Sequence, residues 1–133
     1  MNIYLDIDGV ILANDKQPAL HVKEFLEFVT AKYPTYWLTT HCKGDAEYTL
    51  NHISQYFDTL TLTIAKRIKP TIWNLSKTEA IDFTIPFLWF DDYIFDFEKR
   101  DLINHNALNR WVEVNLSKDP HQLALFMRNF SAV

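Results

Sequence analysis

The sequence is poor in residues that several common kinds of protein require. It has one cysteine, Cys42, and two glycines. A single cysteine excludes an intrachain disulfide and a cysteine-rich zinc site, and it favours an intracellular protein. Two glycines are too few for a glycine-rich phosphate loop of the Walker or dinucleotide-binding type. No apolar run approaches the roughly 20 residues that cross a bilayer, so no membrane association is expected.

Charge and length narrow the class further. The chain carries 17 acidic and 13 basic residues, a formal net charge of −4, which argues against broad non-specific binding of nucleic acid. Of its 133 residues, 48% are hydrophobic, enough for a sizeable core, and we expect one domain over residues 1–133. A predicted strand begins almost at once and leaves no room for a signal peptide, so a cytoplasmic protein is expected.

Strand-like and helix-like segments alternate along the chain, a pattern typical of a parallel sheet with helices on both faces. Continuous apolar runs predict buried central strands at residues 2–8, 35–40 and 86–91. Alternating residues predict edge strands at 59–65 and 110–116. Helices are expected at 18–32, 45–56, 77–83 and 96–106, and after Asp119-Pro120. The predicted fold class is therefore α/β, a three-layer, doubly wound parallel sheet of five strands.

The first strand ends in two aspartates, Asp6 and Asp8, within the run IYLDIDGV. Residues i and i+2 of a strand share a face, so both carboxylates are expected to project into the crevice at the carboxyl end of the sheet. Two clustered carboxylates repel each other, and a site that keeps both usually supplies a compensating cation. Hard oxygen ligands with access to water suit Mg²⁺.

Three further motifs follow in order along the chain. A second apolar run ends in Thr39-Thr40-His41, Lys77 lies in the run SKTE, and a third apolar run ends in Asp91-Asp92. Together with Asp6-x-Asp8, this series resembles the haloacid dehalogenase (HAD) superfamily of phosphohydrolases and phosphotransferases. Within that family, the runs WLTTH and WFDD are most similar to small HAD domains associated with RNA-repair proteins.

The resemblance implies a Rossmann-like sheet of strand order 3-2-1-4-5 and a Mg²⁺-dependent phosphatase. Asp6 would attack phosphorus to form an aspartyl-phosphate, and Asp8 would act as general acid and base, with its main-chain carbonyl on the metal. The gaps after Asp8 and before Lys77, about ten and a dozen residues, are too short for a cap domain. An open site suits a small phosphate ester or a phosphorylated nucleic-acid end, and no obligate protein partner is evident.

Two of the implied roles leave alternatives among neighbouring residues. Thr39 would donate its hydroxyl to a phosphoryl oxygen, but Thr40 is a rival, because only one of two adjacent strand residues can face the crevice. Lys77 would balance the negative charge at a helix start, with Lys66 or Lys69 as the alternative lysine.

The remaining site residues would surround the phosphate. Asp92 is the favoured metal ligand, with Asp91 as its hydrogen-bonding helper. Gly9 would permit a tight turn that brings backbone N–H groups near the phosphate. His41 would line the rim of the site, and Trp73 is the one tryptophan outside the predicted strands and so the candidate for stacking on a substrate.

Two other functions share some of these residues. A phosphoacceptor receiver also combines acidic residues, threonine and lysine around Mg²⁺, but its phosphorylated aspartate ends the third strand, where this chain has Ala65-Lys66. A catalytically silent module that binds phosphate or Mg²⁺ would keep the same motifs. Finally, the basic cluster Lys66-Arg67-x-Lys69 would follow edge strand three at the same end of the sheet as the site, where it would steer an anionic substrate or remain a solvated loop.

Overall fold

A computed structural model describes residues 1–131 of the chain. Its sheet consists of four strands: β1 (Asn2–Leu5), β2 (Thr35–Trp37), β3 (Phe87–Asp91) and β4 (Trp111–Glu113). The strands pair in the order β2-β1-β3-β4, and every neighbouring pair is parallel. Because all four run the same way, their carboxyl ends meet at one edge of the sheet.

Helices connect and flank these strands. The five α-helices of the described chain are α1 (Val22–Lys32), α2 (Ala46–Ile53), α3 (Thr59–Ala65), α4 (Asp96–Asn104) and α5 (Gln122–Ser131). Two single 3₁₀ turns cover Lys77–Ala80 and Leu108–Arg110. The chain is therefore an α/β protein with a parallel sheet, consistent with a Rossmann-like fold. No helix within residues 1–131 is long and apolar enough to cross a membrane.

The sheet separates two apolar cores, because successive residues of a strand point to opposite faces. Ile3 and Leu5 pack into one core with Leu26 of α1. Tyr4, between them, packs into the other core with Leu102 of α4. Ile3, Leu5, Leu26 and Leu102 are all fully buried, so β1 is a central strand covered on both faces, as its continuous apolar sequence predicts.

The predicted strand at 59–65 is wrong, because this segment forms α3. Asp58 caps the helix by accepting a hydrogen bond from Thr61 N (2.8 Å). Thr61 and Ala65 are buried on one helical face, four residues apart, and α3 packs against α1. The alternation of threonine and leucine has the period of a strand, but the cap and the packing determine the structure.

Without that strand, the predicted five-stranded sheet of order 3-2-1-4-5 does not form. Taken across the sheet in the order β2-β1-β3-β4, the observed strands correspond to the second, first, fourth and fifth predicted strands. In place of the missing strand, the chain makes a single parallel bridge between Lys69 and Tyr36 of β2. Trp37 N donates to Lys69 O (2.8 Å), and Lys69 N donates to Thr35 O (2.9 Å).

The position of the basic cluster changes as a consequence. Since the bridge at Lys69 is parallel to β2, Lys66 and Arg67 lie toward the amino ends of the strands, opposite the predicted site. Arg67 donates to the Glu27 carboxylate at 2.8 Å and to Thr30 Oγ1 at 3.3 Å, both on α1. The expectation that this cluster lies at the same end of the sheet as the site is therefore wrong.

Several elements are shorter than predicted. β1 ends at Leu5, so Asp6 and Asp8 lie beyond the strand. The helix expected to begin near Lys77 is one 3₁₀ turn, but its predicted capping box between Ser76 and Glu79 is present. The box fixes the backbone at Lys77, the first residue of the turn.

Candidate active site

Three carboxylates meet where β1 and β3 end. Asp6 follows β1 directly, Asp91 is the last residue of β3, and Asp92 comes next. The pairing of the two strands continues past β1, because Asp6 N donates to Phe90 O (3.0 Å). Oxygen atoms of the three side chains lie within 4.8 Å of one another. The structure thus brings together three of the four aspartates that the sequence analysis assigned to a cation.

Lys77 joins this group from the 3₁₀ turn. Its Nζ lies 2.7 Å from Asp91 Oδ2 and 3.4 Å from Asp6 Oδ2. The lysine side chain is 12% exposed and that of Asp91 is 1% exposed, so water screens these ion pairs weakly. Lys77, rather than Lys66 or Lys69, is the lysine that contacts the carboxylates.

The buried charges shift one another's pKa values. Burial and the neighbouring Asp6 charge raise the pKa of Asp91 to about 8, although Lys77 opposes this. Burial alone lowers the pKa of Lys77, but the charges of Asp6 and Asp91 outweigh it and the net shift is upward. Near neutral pH, Lys77 is therefore charged and Asp91 retains its proton. The cluster therefore has more acidic groups than one lysine can balance, and a further cation would displace that proton.

Asp92 differs from its neighbours because it is exposed and has no hydrogen bond or ion pair to other residues within 1–131. Gly9 lies directly against it. The φ of Gly9 is +83°, and a Cβ there would lie only 2.6 Å from Asp92 Cγ. Only glycine fits both this conformation and this contact, so the tight turn predicted at Gly9 is present.

The backbone amides of this turn are engaged within it. Gly9 N donates to Leu12 O (2.7 Å), and the N–H groups of Val10, Ile11 and Leu12 all donate to Ile7 O. These amides therefore do not present free donors to a phosphate. The function of Gly9 in this geometry is to make room for Asp92.

Asp8 lies outside the carboxylate cluster. Its side chain is 45% exposed, and it contacts His41 Nε2 at 2.8 Å and Lys16 Nζ at 3.5 Å. Burial raises the pKa of Asp8, but the hydrogen bond and charge of His41 and the charge of Lys16 outweigh this and lower it overall. The His41 ring stacks on His52 with centroids 3.8 Å apart, and burial and the His41 charge lower the pKa of His52.

The two threonines after β2 have different surroundings. Leu38 N donates to Leu5 O (2.7 Å), so the chain continues beside β1 and brings Thr39 alongside Asp6. Thr39 is fully buried, and its Oγ1 accepts a hydrogen bond from His41 N (3.2 Å) but donates none to another residue within 1–131. Thr40 is exposed. Thr39 therefore keeps a hydroxyl proton that it can donate to a ligand.

Trp73 lies in the loop before Lys77, as its position in the sequence requires. It is half-buried and packs against the core formed by Tyr4 and Trp89. Its indole N–H is buried and has no partner among the described residues. The stacking role assigned to Trp73 remains a prediction, and packing against the core restricts the ring surface that it can offer.

The sequence analysis missed Glu98, a buried residue of α4. Its Oε2 accepts from Lys77 N and its Oε1 accepts from Phe95 N, both at 3.0 Å. One carboxylate thus fixes the backbone of the lysine turn to the start of α4. The spacing Phe95-x-x-Glu98 was a visible signal, because a glutamate at the third helical position often accepts from the backbone at the helix start.

A small polar pocket opens beside the carboxylates. It has a volume of about 160 Å³, and its lining includes Gly9, Asn14, Asp92, Asn115 and Ser117. The pocket lies between the turn after β1 and the loop after β4. It gives a ligand access to Asp92 from solvent.

Comparisons of this chain with protein-family models, with curated proteins and with solved structures found no match. The resemblance of its motifs to the HAD superfamily therefore remains a prediction.

Proposed function

We propose that the protein is a Mg²⁺-dependent phosphatase that hydrolyses phosphate monoesters through an aspartyl-phosphate on Asp6. The observation that carries this proposal is the combination of groups at one sheet edge. A buried carboxylate on Asp6, the Lys77 ammonium and the free hydroxyl proton of Thr39 are the nucleophile, charge and donor that phosphoryl transfer requires. A site of purely structural ion pairs would not need the hydroxyl.

The donor set fits Mg²⁺. Asp6, Asp91 and Asp92 supply only oxygen atoms, which this cation prefers, and three carboxylates face the single ammonium of Lys77. Asp6 and Asp92 would hold the ion together with the main-chain carbonyl of Asp8, while Asp91 is held by Lys77. When bound, Mg²⁺ would neutralise negative charge on the carboxylates and on the phosphoryl oxygens.

In the first step, a carboxylate oxygen of Asp6 attacks phosphorus and the bond from phosphorus to the ester oxygen breaks. Ile7 N donates to Asp6 Oδ1 (2.8 Å) and so orients the carboxylate, which leaves Oδ2 as the attacking atom. Lys77 and Thr39 stabilise charge on the phosphoryl oxygens. The leaving oxygen takes its proton from the hydrogen-bonded pair of Asp8 and His41.

In the second step, water attacks phosphorus of the aspartyl-phosphate. Asp8 accepts the proton of that water, inorganic phosphate leaves, and the Asp6 carboxylate is regenerated. The lowered pKa of Asp8 keeps it ionised at neutral pH and suits it to this second, basic role. His41, which is hydrogen-bonded to Asp8, supplies the proton for the first role, so the pair of side chains performs both the acidic and the basic role.

Substitution of Asp6 by asparagine tests this proposal most directly. Asparagine is nearly isosteric but poorly nucleophilic, so Asp6→Asn is expected to abolish turnover of phosphate monoesters while the circular dichroism spectrum stays unchanged. Beryllofluoride, which mimics a phosphoryl group on a carboxylate, is expected to inhibit the wild-type protein in the presence of Mg²⁺. Phosphate release is the readout, over nucleotides, sugar phosphates and phosphorylated oligonucleotides.

Two outcomes would contradict the proposal. Turnover by Asp6→Asn near the wild-type rate would exclude Asp6 as the nucleophile. Binding of Mg²⁺ and phosphate by the wild-type protein, without hydrolysis of any ester in the series, would instead favour the catalytically silent binding module.

A further inference from the structure

Three aromatic side chains are exposed immediately after the carboxylates of β3. Tyr93, Phe95 and Phe97, here called the aromatic patch, are 62%, 54% and 41% exposed. The rings of Tyr93 and Phe95 meet edge to face at 5.5 Å, and those of Phe95 and Phe97 lie nearly parallel at 5.4 Å. Contiguous exposed apolar surface of this kind marks an interaction site more often than a single exposed residue does.

The aromatic patch is continuous with the candidate active site. Tyr93 N donates to Asp91 Oδ1 (3.3 Å), and Phe95 N shares the Glu98 carboxylate with Lys77 N. Two residues of chain span at most about 7 Å, so Tyr93 begins within that distance of Asp91. The segment that carries the exposed rings is therefore hydrogen-bonded to the same carboxylates that hold the lysine turn and adjoin Lys77 Nζ.

We infer that the aromatic patch stacks a nucleobase, and that the substrate of the site is a nucleotide. This inference rests on the proposed phosphatase function and adds the substrate class to it. A nucleobase is flat and presents a π-face to aromatic side chains. In a nucleotide, one sugar joins the base to the phosphate. A patch beside the phosphate site could therefore contact the base while the phosphate is bound.

The surroundings of the patch favour a single base over other occupants. Asp92 and Asp96 border it in sequence, and their carboxylates would repel an anionic membrane or an acidic peptide at the rings, whereas a nucleotide would present only its uncharged base there and its phosphate to Lys77. The net charge of −4 disfavours a long stretch of nucleic acid. Three side chains are also far fewer than the roughly 20–30 residues that each partner contributes to a stable protein interface.

The test measures binding with the Asp6→Asn protein, so that turnover does not interfere. Calorimetric titrations with Mg²⁺ present compare adenosine 5′-monophosphate with ribose 5-phosphate, which has the same phosphate and sugar but no base. We expect the nucleotide to bind about tenfold or more tightly, within the range of base stacking on aromatic residues. In Tyr93→Leu/Phe95→Leu, which keeps apolar bulk but removes the flat rings, that ratio is expected to fall toward one.

Ile103→Ala serves as the matched control, because Ile103 is exposed on the same helix, about 9 Å along the axis from Phe97. It is expected to keep the wild-type ratio. A 5′-phosphorylated trinucleotide, titrated in parallel, separates the two sources of a base. Tighter binding of the trinucleotide than of the mononucleotide would assign the site to a nucleic-acid end, and equal binding would assign it to free nucleotides.

The outcomes separate this inference from the proposed function. Equal affinity for the nucleotide and ribose 5-phosphate, or an equal loss of the ratio in Ile103→Ala, would overturn the stacking inference. A dimer of the wild-type protein in sedimentation that Tyr93→Leu/Phe95→Leu abolishes would also overturn it and assign the patch to a second copy. Base-dependent binding without hydrolysis by the wild-type protein would support stacking and refute the phosphatase. Hydrolysis of both esters at equal rates would support the phosphatase and refute the stacking inference.

Discussion

Asp6 and Asp8 are two residues apart in sequence, but their environments differ in almost every respect. Asp6 is 8% exposed and shares Lys77 with a second buried carboxylate, Asp91. The Asp8 side chain is 45% exposed and is hydrogen-bonded to His41, with Lys16 nearby. One aspartate thus belongs to a buried group of charges, and the other belongs to a partly solvated hydrogen-bonded pair.

In the proposed mechanism, this difference would let one short motif supply two chemical roles. A buried carboxylate next to a lysine is held in place and has little water around it, which suits a nucleophile. A solvated carboxylate beside an imidazole exchanges protons readily, which suits an acid and base. The four predictions below test this contrast, from the largest expected effect to the smallest.

The largest effect is expected from removing the buried lysine. Lys77→Met leaves Asp6 and Asp91 facing each other without a cation, and breaking a buried charge group costs about 3–5 kcal/mol. We expect a loss of about 3 kcal/mol in the free energy of unfolding, measured by urea denaturation without Mg²⁺, and phosphatase activity reduced at least about a hundredfold.

Lys16→Met is the matched control, because it removes the lysine beside the partly solvated aspartate, Asp8. The Lys16 side chain is 60% exposed, so its ion pair with Asp8 contributes little, and we expect a change within about 0.5 kcal/mol. Similar losses in the two methionine variants would show that the burial of the Lys77 pairs does not matter energetically.

The second prediction concerns the pH dependence of stability without metal. The folded pKa of Asp91, about 8, lies above the ordinary value of 3.8, so the folded protein binds more protons between these values. Its contribution to the free energy of unfolding is therefore full below about pH 4 and is lost as the pH rises through 8. Urea denaturation across this range measures the slope of this loss.

Asp8 is expected to contribute to the free energy of unfolding with the opposite dependence on pH. Its pKa is lowered, so its contribution is present above the ordinary value and is lost as the pH falls through the folded pKa.

Asp91→Asn should flatten the slope between pH 4 and 8, and saturating Mg²⁺ should stabilise the protein more at pH 8 than at pH 5. A slope that Asp91→Asn leaves unchanged would contradict the assignment to Asp91.

The third prediction uses the contact between Gly9 and Asp92. Gly9→Ala must adopt a left-handed backbone conformation, which costs about 1–2 kcal/mol, and its Cβ would push the Asp92 side chain away. We expect that loss of stability in the metal-free protein, together with weaker Mg²⁺ binding by calorimetry. Gly44 is also at positive φ, but a Cβ there would have no contact closer than 3.6 Å. Gly44→Ala should therefore lose a similar amount of stability and retain the wild-type affinity for Mg²⁺.

The smallest change in stability is expected for His41→Ala. The hydrogen bond to Asp8 is only partly buried, so the free energy of unfolding should fall by about 1 kcal/mol or less. The informative readout is the pH profile of phosphate release, whose acidic limb should move to higher pH because Asp8 loses the group that lowers its pKa. An unchanged acidic limb would refute the coupling between His41 and Asp8.

The sequence predicted the buried strands and the meeting of Asp6 with Asp91 and Asp92, because continuous apolar runs and parallel pairing place their carboxyl ends together. It also located Lys77 through the capping residues Ser76 and Glu79. These features depend on local patterns and on the rule that parallel strands share an edge, so they could be read from the chain.

Other features depended on contacts between distant residues. The helix α3 (Thr59–Ala65) replaced a predicted strand because packing on α1 overrode the alternation, although Asp58 was a readable helix cap. Asp8 lies outside the cluster of Asp6, Asp91 and Asp92, and because β1 ends at Leu5, the strand period of two does not apply to these two aspartates. The spacing of Phe95 and Glu98 indicated the hydrogen bond between them, but the bond from Lys77 N to Glu98 spans 21 positions of sequence, which no local pattern encodes.

The single bridge at Lys69 also pairs backbone groups at the β2 edge of the sheet. An open strand edge is a template on which other chains can add strands and aggregate. Lys69 occupies the outward N–H of Trp37 and the outward carbonyl of Thr35 on β2, and Pro70 follows at once with no N–H to extend the pairing. The β2 edge of the sheet is thus closed at this point by one residue, without a fifth strand.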